Sequence, residues 1–334
     1  MALATAGTTT MNNVEAVRHT LYEALKADPK TLIMGEDVGA RGNVFLITKG
    51  FLEEFGPERI IDTPLAEASI VGVAVGMAME GLRPIAEIQF ADFIYPAFNQ
   101  IVGEAAKTRY RSNGDYTCPL VIRTPYGGGV RGALSHSVSI EALFYHVPGL
   151  KIVAPSFPAD IKGLLNAAID DPDPVMFLEH KKTYRLVKGE VPNGHYTIPI
   201  GKAEVKIAGD ALTAVSYGLY VHQAIEAAKQ LAADGLSVEV IDLRSIRPMD
   251  RTTILESVRK TRKLLIIQED NKFGGIGAEI SAMVVEEAFF DLDAPIRRLA
   301  GPDVPAMGYA QTLEEEFMIP TSRMADTMRE MVAF

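Results

Sequence analysis

The sequence has one cysteine, no long run of Lys or Arg and no long uninterrupted apolar run. The single Cys118 excludes an internal disulfide and any cysteine-based metal motif, so we expect a buried thiol in a reducing compartment. With 43 acidic against 33 basic residues, the net charge of −10 argues against nucleic-acid binding. Apolar segments are interrupted well short of a membrane span, and the N-terminus lacks a signal-peptide pattern. These absences predict a cytoplasmic protein without membrane contact.

Short β-rich runs alternate with helical patterns along the 334 residues, a length that suits two domains. Such alternation predicts an α/β fold with two doubly wound domains, each with a mainly parallel sheet. We expect a flexible N-terminus at 1–12, a first domain at 13–190, a linker at 191–204 and a smaller domain at 205–334. The predicted strands are Leu32–Met34, Ile60–Ile61, Ile85–Phe90, Leu120–Arg123, Lys151–Ala154, Val175–Leu178, Leu212–Tyr217, Val238–Leu243, Leu264–Gln268 and Ile296–Leu299. The predicted helices are 13–27, 66–80, 93–110, 139–146, 158–169 and 221–234.

Glu67 is the only ionisable residue between Asp62 and Glu80, in the segment IIDTPLAEASIVGVAVGMAMEGLRP. One interpretation is a helix start, with Thr63 as cap, Pro64 in the first turn and the acid favoured by the helix dipole. The helix that follows carries only small and apolar side chains after its first turn, so we expect it to be buried on all faces. A carboxylate entering such a helix is costly unless a specific partner meets it. The alternative is therefore the working acid of a buried site.

Two glycine-rich segments do not match nucleotide-binding motifs. The glycines at 274–277 lack G-x-G-x-x-G spacing, which favours a plain turn before a helix. The loop GGGVR at 127–131 lacks the Lys-Ser/Thr of a phosphate loop, and its glycines favour close approach of a ligand or neighbouring chain over a merely flexible loop. His136 follows this loop near the end of a predicted strand, where α/β proteins place their sites. A surface histidine is the alternative.

Two further groups have both structural and functional interpretations. The residues after the predicted strand Ile85–Phe90 include Phe93 and Tyr95 and form an aromatic cluster with Gln89 and Phe90, for which core packing is the default. The segment DDPD at 170–173 is typical of a solvated turn between a helix and a strand. Because acids and turn carbonyls converge there, a cation site is the alternative.

Long motifs in fixed order identify a resemblance that covers essentially the whole chain. The chain resembles the β subunits of the decarboxylating component of 2-oxo acid dehydrogenase complexes, with the branched-chain type the most similar. The matching segments are MGEDVG at 34–39, RIIDTPLAEASIVGVAVGMAMEGLRPIAEIQFADF at 59–93, QIVGEAAKTRYRS at 100–112, GGGVRGALSHS at 127–137, PGLKIVAPS at 148–156, DLRSIRPMD at 242–250 and LDAPIRRLAGPDVPAMGYA at 292–310.

The resemblance implies a transketolase-like pyrimidine-binding domain followed by a transketolase C-terminal-like domain. It implies thiamine diphosphate bound between two chains of an α2β2 heterotetramer, with the pyrimidine half held by this chain. Glu67 then bonds the pyrimidine ring nitrogen and favours the tautomer that activates the cofactor. Phe93 packs on the ring, with Leu65 and Gln89 beside it. The sequence has no Gly-Asp-Gly motif for Mg²⁺, which therefore falls to the α subunit.

The resemblance also assigns residues outside the pyrimidine site. His136 assists acyl transfer to lipoamide by acid–base work. Many relatives continue this motif as His-Ser-Gln where Val138 stands here, which leaves the orientation of His136 open. A structural K⁺ site, built mostly from backbone carbonyls, is implied at Leu120, Ala168, Asp171 and Asp173. Contacts with the lipoyl-bearing acyltransferase core are implied near Asp293 and at the C-terminal Phe334.

We therefore expect the β subunit of a branched-chain 2-oxo acid dehydrogenase that is active only with its α partner. The same framework serves pyruvate and acetoin dehydrogenases, which remain alternatives. A non-catalytic scaffold subunit is a more remote one, because a scaffold needs neither Glu67 nor His136.

Overall fold

The computed structural model describes residues 7–334 in two units. The first contains the described residues up to Tyr126 together with Phe144–Ile200, and the second contains Gly127–Leu143 together with Gly201–Phe334. Both units are α/β with mainly parallel sheets, which confirms the predicted fold class. The chain therefore leaves the first unit and returns to it. The loop 127–143 falls in the second unit, although it lies within the first domain predicted from the sequence.

Six strands of the first unit form a parallel sheet in the order β6-β7-β5-β4-β2-β3. Their central positions are almost entirely buried, as expected for a parallel sheet covered on both faces. The strands of this unit are β1 Thr8–Asn12, β2 Thr31–Gly35, β3 Ile60–Asp62, β4 Arg83–Glu87, β5 Val121–Tyr126, β6 Lys151–Val153, β7 Val175–His180 and β8 Lys188–Pro192.

Four predicted helices of the first half, 13–27, 66–80, 139–146 and 158–169, are present within two residues of their predicted bounds. Helix α1 starts with a capping box, in which the Asn12 side chain accepts from the Glu15 backbone N–H and Glu15 returns the contact. Its apolar face, which includes Val17 and Leu21, packs with Leu164 and Leu165 in one core cluster. The helices are α1 Asn13–Ala27, α2 Phe51–Phe55, α3 Glu67–Met79, α4 Thr108–Arg111, α5 Glu141–Tyr145 and α6 Pro158–Asp170.

The second unit has a five-stranded sheet in the order β14-β13-β10-β11-β9, in which only β9 runs antiparallel to its neighbour. Its strands are β9 Glu204–Ile207, β10 Leu212–Ser216, β11 Val238–Asp242, β13 Leu264–Asn271 and β14 Arg297–Gly301, and a short strand β12 spans Ser245–Arg247. Its helices are α7 Leu219–Ala233, α8 Arg251–Thr261, α9 Ile276–Ala288, α10 Gln311–Phe317 and α11 Thr321–Val332. The glycines before α9 form the turn that the sequence predicted.

Three segments differ from the sequence prediction. Residues 1–6 of the expected flexible N-terminus lie outside the described part, whereas Thr8–Asn12 is a strand paired antiparallel with β8. The same pairing places the start of the expected linker, at residue 191, in β8. Neither segment has a strand partner nearby in sequence, so each forms a strand only by pairing with the other. The predicted helix 93–110 is divided into 3₁₀ and π turns before α4. Pro96, which cannot donate a helical hydrogen bond, lies within this segment.

Cys118 is buried, as its isolation in the sequence predicted. Burial, with a further contribution from the charge of Asp173, raises the pKa of its thiol to about 12. Because the thiolate is the reactive form, this cysteine is chemically inert at neutral pH. Within residues 7–334 no helix is both long and apolar enough to cross a bilayer.

Candidate active site

Glu67 is the first residue of α3 and is partly exposed. The residue before it, Ala66, gives no side-chain cap, and the Thr63 N–H donates to Gly35 at 3.0 Å instead. The predicted Thr63 cap is therefore wrong, because Thr63 still belongs to the loop that follows β3. Helix α3 is also not buried all round: Val73 is 49% exposed. The elements of this chain cover only one face of the helix.

Glu67 lies at the edge of the first sheet where three neighbouring parallel strands end. Strands β3, β2 and β4 run side by side, and their carboxyl ends lead into the segments that carry Glu67, Glu36 and Gln89. The Gln89 amide donates a long hydrogen bond, 3.5 Å between nitrogen and oxygen, to the backbone carbonyl of Glu36. Burial, then the charges of Asp37 and Glu67, raise the pKa of Glu36. Two carboxyl groups therefore share this edge, and the sequence analysis singled out only one of them.

An aromatic series runs along the same edge. The ring centroids of Phe90 and Phe93 are 5.8 Å apart, and those of Phe45 and Phe90 are 5.9 Å apart. Asn43 fixes the loop that bears Phe45, since its side-chain oxygen accepts from the N–H groups of Phe45 and Ile47 at 2.9 and 3.0 Å. The predicted aromatic cluster is thus extended by a residue from a distant loop. Leu65 is 72% exposed and offers apolar surface after the end of β3.

A buried ionic network fills the sheet next to this edge. Arg123 donates to both carboxyl oxygens of Glu179 at 2.6 and 2.9 Å and to Glu87 at 2.8 Å. Tyr184 donates to Glu179 at 2.7 Å, and the Asn43 amide donates to Glu87 at 2.9 and 3.0 Å. Burial raises the pKa of Glu87 against the opposing effects of Arg123 and Asn43. Burial lowers the pKa of Arg123, but Glu179 and Glu87 raise it by more. Arg123 therefore stays charged, and its guanidinium opposes the protonation of Glu87 that burial favours.

The sequence analysis missed this network, although a signal was available. Glu87 and Arg123 are charged residues within predicted buried strands, and the structure pairs them directly in register across β4 and β5. A buried charge needs a partner, so two opposite charges in adjacent buried strands indicate an ion pair. The arrangement joins the sheet to Asn43 and through it to the aromatic series.

His136 lies in the second unit at the end of the loop that starts at Gly127. The Gly127 N–H donates to the Val138 carbonyl at 3.1 Å, and a 3₁₀ turn at Ala133–Ser135 precedes the histidine. Val138 thus serves the loop through its backbone, which any residue type supplies. A Cβ on Gly132 would lie 2.4 Å from the His136 carbonyl oxygen, so this glycine permits a close backbone approach.

The glycines of this loop make room for the chain itself. A Cβ on Gly128 would lie 2.4 Å from the end of the Met307 side chain and 3.3 Å from the sulfur of Met318. The sequence analysis expected a ligand or a neighbouring chain to approach this glycine. The methionines of the same unit occupy that place instead.

A cluster of acids is buried in the second unit near this loop. Tyr217 donates to one carboxyl oxygen of Glu141 at 2.5 Å, and the other oxygen has no hydrogen-bond partner among the described residues. Burial, and then the charge of Asp270, raise the pKa of Glu141 to about 8. Burial also raises the pKa of Asp270, with Glu269 adding to the effect. Glu141 is therefore largely protonated at neutral pH.

The four residues of the implied K⁺ site lie in the first unit, where basic side chains engage the two acids. Lys151 Nζ lies 2.7 Å from both carboxyl oxygens of Asp171, and Arg109 Nε lies 2.6 Å from Asp173. Leu120 already accepts a hydrogen bond from Val175 through its carbonyl. Residues 7–334 hold no group of three or more His, Cys, Asp or Glu side chains arranged to hold a metal. The carboxylates of Asp171 and Asp173 therefore already have cationic partners within the chain.

The two residues implied in core docking lie on the surface of the second unit. Asp293 forms a bidentate pair with Arg262 at 2.6 and 2.8 Å, and the hydrogen bond from Arg262 lowers the pKa of Asp293. Phe334 is 64% exposed, with the Arg297 guanidinium 5.9 Å from its ring centroid. The Asp293 carboxylate therefore already has a cationic partner within the chain.

Comparisons with known proteins agree with this geometry. The profile of the transketolase pyrimidine-binding domain matches residues 9–187, and that of the transketolase C-terminal domain matches residues 201–324. The chain is 55% identical to the 2-oxoisovalerate dehydrogenase subunit beta of Bacillus subtilis, over 97% of this chain and 99% of that one. It is 45% identical to the pyruvate dehydrogenase E1 component subunit beta of Staphylococcus epidermidis, over 94% and 95%.

A solved structure shares the fold at low sequence identity. It is described as a split gene transketolase, inactive beta4 tetramer, and matches with a TM-score of 0.76 at 23% identity over 97% of this chain and 98% of that one. The two domain profiles and the sequence relatives show that the chain belongs to the transketolase-like beta subunits of 2-oxo acid dehydrogenases.

Proposed function

We propose that this chain, with an α subunit, forms a cytoplasmic thiamine-diphosphate-dependent dehydrogenase that decarboxylates branched-chain 2-oxo acids and acylates lipoyl groups. The 55% identity to a 2-oxoisovalerate dehydrogenase subunit, against 45% to a pyruvate dehydrogenase subunit, is the observation that carries the choice of substrate. Pyruvate is the second candidate substrate, since beta subunits of pyruvate dehydrogenase E1 components match over nearly the same length.

The residues at the edge of the first sheet fit an aminopyrimidine ring. A carboxyl group at a helix start, an aromatic ring on Phe93 and an exposed apolar side chain on Leu65 supply a hydrogen-bonding group and two packing surfaces. Glu67 would bond the pyrimidine nitrogen, and Gln89 would lie beside the ring. Thiamine diphosphate supplies the decarboxylation chemistry when bound, while the protein orients and tunes it. In this proposal the α subunit holds the Mg²⁺ of the diphosphate.

His136 is assigned the proton transfers that accompany acyl transfer to the lipoyl group. A positioned histidine is worth about 10²–10⁴-fold in such a step. The glycine-rich loop that brings the chain to His136 is held by hydrogen bonds within the second unit, which supports a defined rather than a mobile position.

Two further parts of the proposal concern binding. A structural K⁺ ion would be held by backbone carbonyls at Leu120, Ala168, Asp171 and Asp173, away from the chemistry. The acyltransferase core would dock near Asp293 and Phe334. Because Arg262 already holds the Asp293 carboxylate, a basic partner has to compete with this pair or share it.

The test is thiamine-diphosphate-dependent CO₂ release from 2-oxoisovalerate, pyruvate and acetoin by this chain co-purified with its α subunit. We expect the highest kcat/KM with 2-oxoisovalerate and no release by this chain alone. A preference for pyruvate or acetoin in an intact assembly would overturn the substrate assignment. Activity of the isolated chain would contradict a site shared with the α subunit.

A further inference from the structure

The loop that carries His136 is attached to a buried carboxylate from the far end of the chain. One side-chain oxygen of Glu314, in α10, accepts from the backbone N–H groups of Gly129 at 3.0 Å and Arg131 at 2.8 Å. Glu314 is only 7% exposed. Two backbone N–H groups thus share one buried carboxylate oxygen, and charge-assisted bonds of this kind are stronger than neutral ones.

The backbone of the loop needs such support. Arg131 and Ala133 both adopt left-handed conformations, with φ of 58° and 54°, which cost free energy in residues other than glycine. Strained conformations persist only where surrounding contacts determine them. Glu314 accepts hydrogen bonds from the N–H of the first of these residues and from the N–H of Gly129, two residues before it.

Two neighbouring side-chain contacts also hold the loop. The Arg131 side chain donates to the Gln311 side chain, also in α10, at 2.5 Å. The Gly128 N–H donates to the buried carboxylate of Glu269 at 2.5 Å. Three successive parts of the loop are therefore tied to α10 and β13, five or more residues before His136.

We propose that Glu314 is a positioning residue for His136. In this role Glu314 does not touch the reacting atoms. It holds the strained segment Gly129–Arg131, and the conformation of this segment determines the position of His136. The inference rests on the proposed function only for the step that His136 serves. The clamp, by which we mean the two hydrogen bonds that Glu314 accepts from Gly129 and Arg131, is a property of the second unit.

The experiment compares Glu314→Ala and Glu314→Gln with Glu316→Gln, which changes an exposed acid on the same helix. All three are made in the assembled complex with the α subunit. Hydrogen–deuterium exchange of the peptide covering 127–136 reports directly on the two N–H groups. We expect at least about tenfold faster exchange there in Glu314→Ala, because both bonds are lost. Glu314→Gln, which keeps one acceptor oxygen, should be intermediate, and Glu316→Gln should match the parent protein.

Two activities then test the consequence for His136. Decarboxylation with an artificial electron acceptor should change little in Glu314→Ala, whereas lipoyl acylation should fall by about tenfold or more, since small misplacements of a catalytic group are costly. Glu314→Gln should restore most of the acylation. Faster exchange without a change in the acylation-to-decarboxylation ratio would overturn the positioning role. Exchange equal to that of the parent protein would overturn the clamp.

Two outcomes keep the clamp and the proposed function separable. If Glu314→Ala does not assemble, Glu314→Leu takes its place, since it removes the acceptor oxygen but keeps a bulky side chain, and exchange equal to that of Glu316→Gln overturns the clamp. If His136→Ala itself shows no selective loss of acylation, the role proposed for His136 fails. In that case the exchange result still decides whether Glu314 holds the loop.

Discussion

Arg123 and Glu179 lie on adjacent strands and form a bidentate ion pair with 1% of each side chain exposed. Glu87 adds a second acid to the same guanidinium, so the network has one more acid than base. Removing the base alone leaves two carboxyl groups buried without a cationic partner, which is far more costly than losing a surface pair.

Arg123→Met should therefore lower the free energy of unfolding by about 3–5 kcal/mol. Chemical denaturation followed by circular dichroism measures the change. The matched control is Arg111→Met, which removes an exposed pair with Glu104 and should cost about 1 kcal/mol or less. Equal losses in the two variants would show that the buried network contributes no more than a surface pair.

Glu67→Gln should leave assembly with the α subunit intact and reduce thiamine-diphosphate-dependent decarboxylation by about 10²–10⁴-fold. The amide keeps the shape of the side chain but loses the carboxyl group proposed to bond the pyrimidine nitrogen. Glu80→Gln, an exposed acid just after the other end of α3, should retain full activity. Turnover of Glu67→Gln at the parent rate would exclude Glu67 from the chemistry and leave it only the favourable position of an acid in the first turn of α3.

His136→Ala should reduce lipoyl acylation much more than decarboxylation with an artificial acceptor, by a ratio of about 10². Steady-state assays of both half-reactions on the same preparation measure this ratio. His146→Ala, at an exposed position after α5, should alter neither rate. Parallel losses in the two assays would assign His136 to a step common to both.

The buried Glu141 makes stability depend on pH. Burial raises its pKa from the ordinary value of 4.5 to about 8, so the folded state holds a proton that the unfolded state has released across this range. This contribution is fully present below the unfolded pKa and is lost as pH rises toward about 8. Glu141→Gln should flatten the decline in unfolding free energy between pH 5 and about 8.

Denaturation at a series of pH values measures this effect, with the exposed Glu279→Gln as the control. The glutamine keeps an oxygen to accept the hydrogen bond from Tyr217. A decline in stability as steep as that of the parent protein would show that Glu141 titrates in its ordinary range.

Several features of the fold were accessible from local pattern alone. The bounds of α1, the strand β2 and the helix α7 follow from apolar periodicity and from capping or stop residues next to them. The predicted helix 93–110 failed because a proline and a run of short turns divide it. Strands β1 and β8 escaped prediction because each is stabilised by pairing with a segment about 180 residues away.

Sequence by itself determined the alternating α/β order, the solitary acid at Glu67 and the family to which the chain belongs. These rest on local periodicity and on long motifs, which do not require knowledge of the packing. Only the tertiary structure decided that Glu36 approaches Glu67, that Arg123 joins Glu87 to Glu179, and that Glu314 holds the loop before His136. Each of these contacts joins residues well separated along the chain, and such pairs are fixed by strand register and loop closure rather than by local sequence.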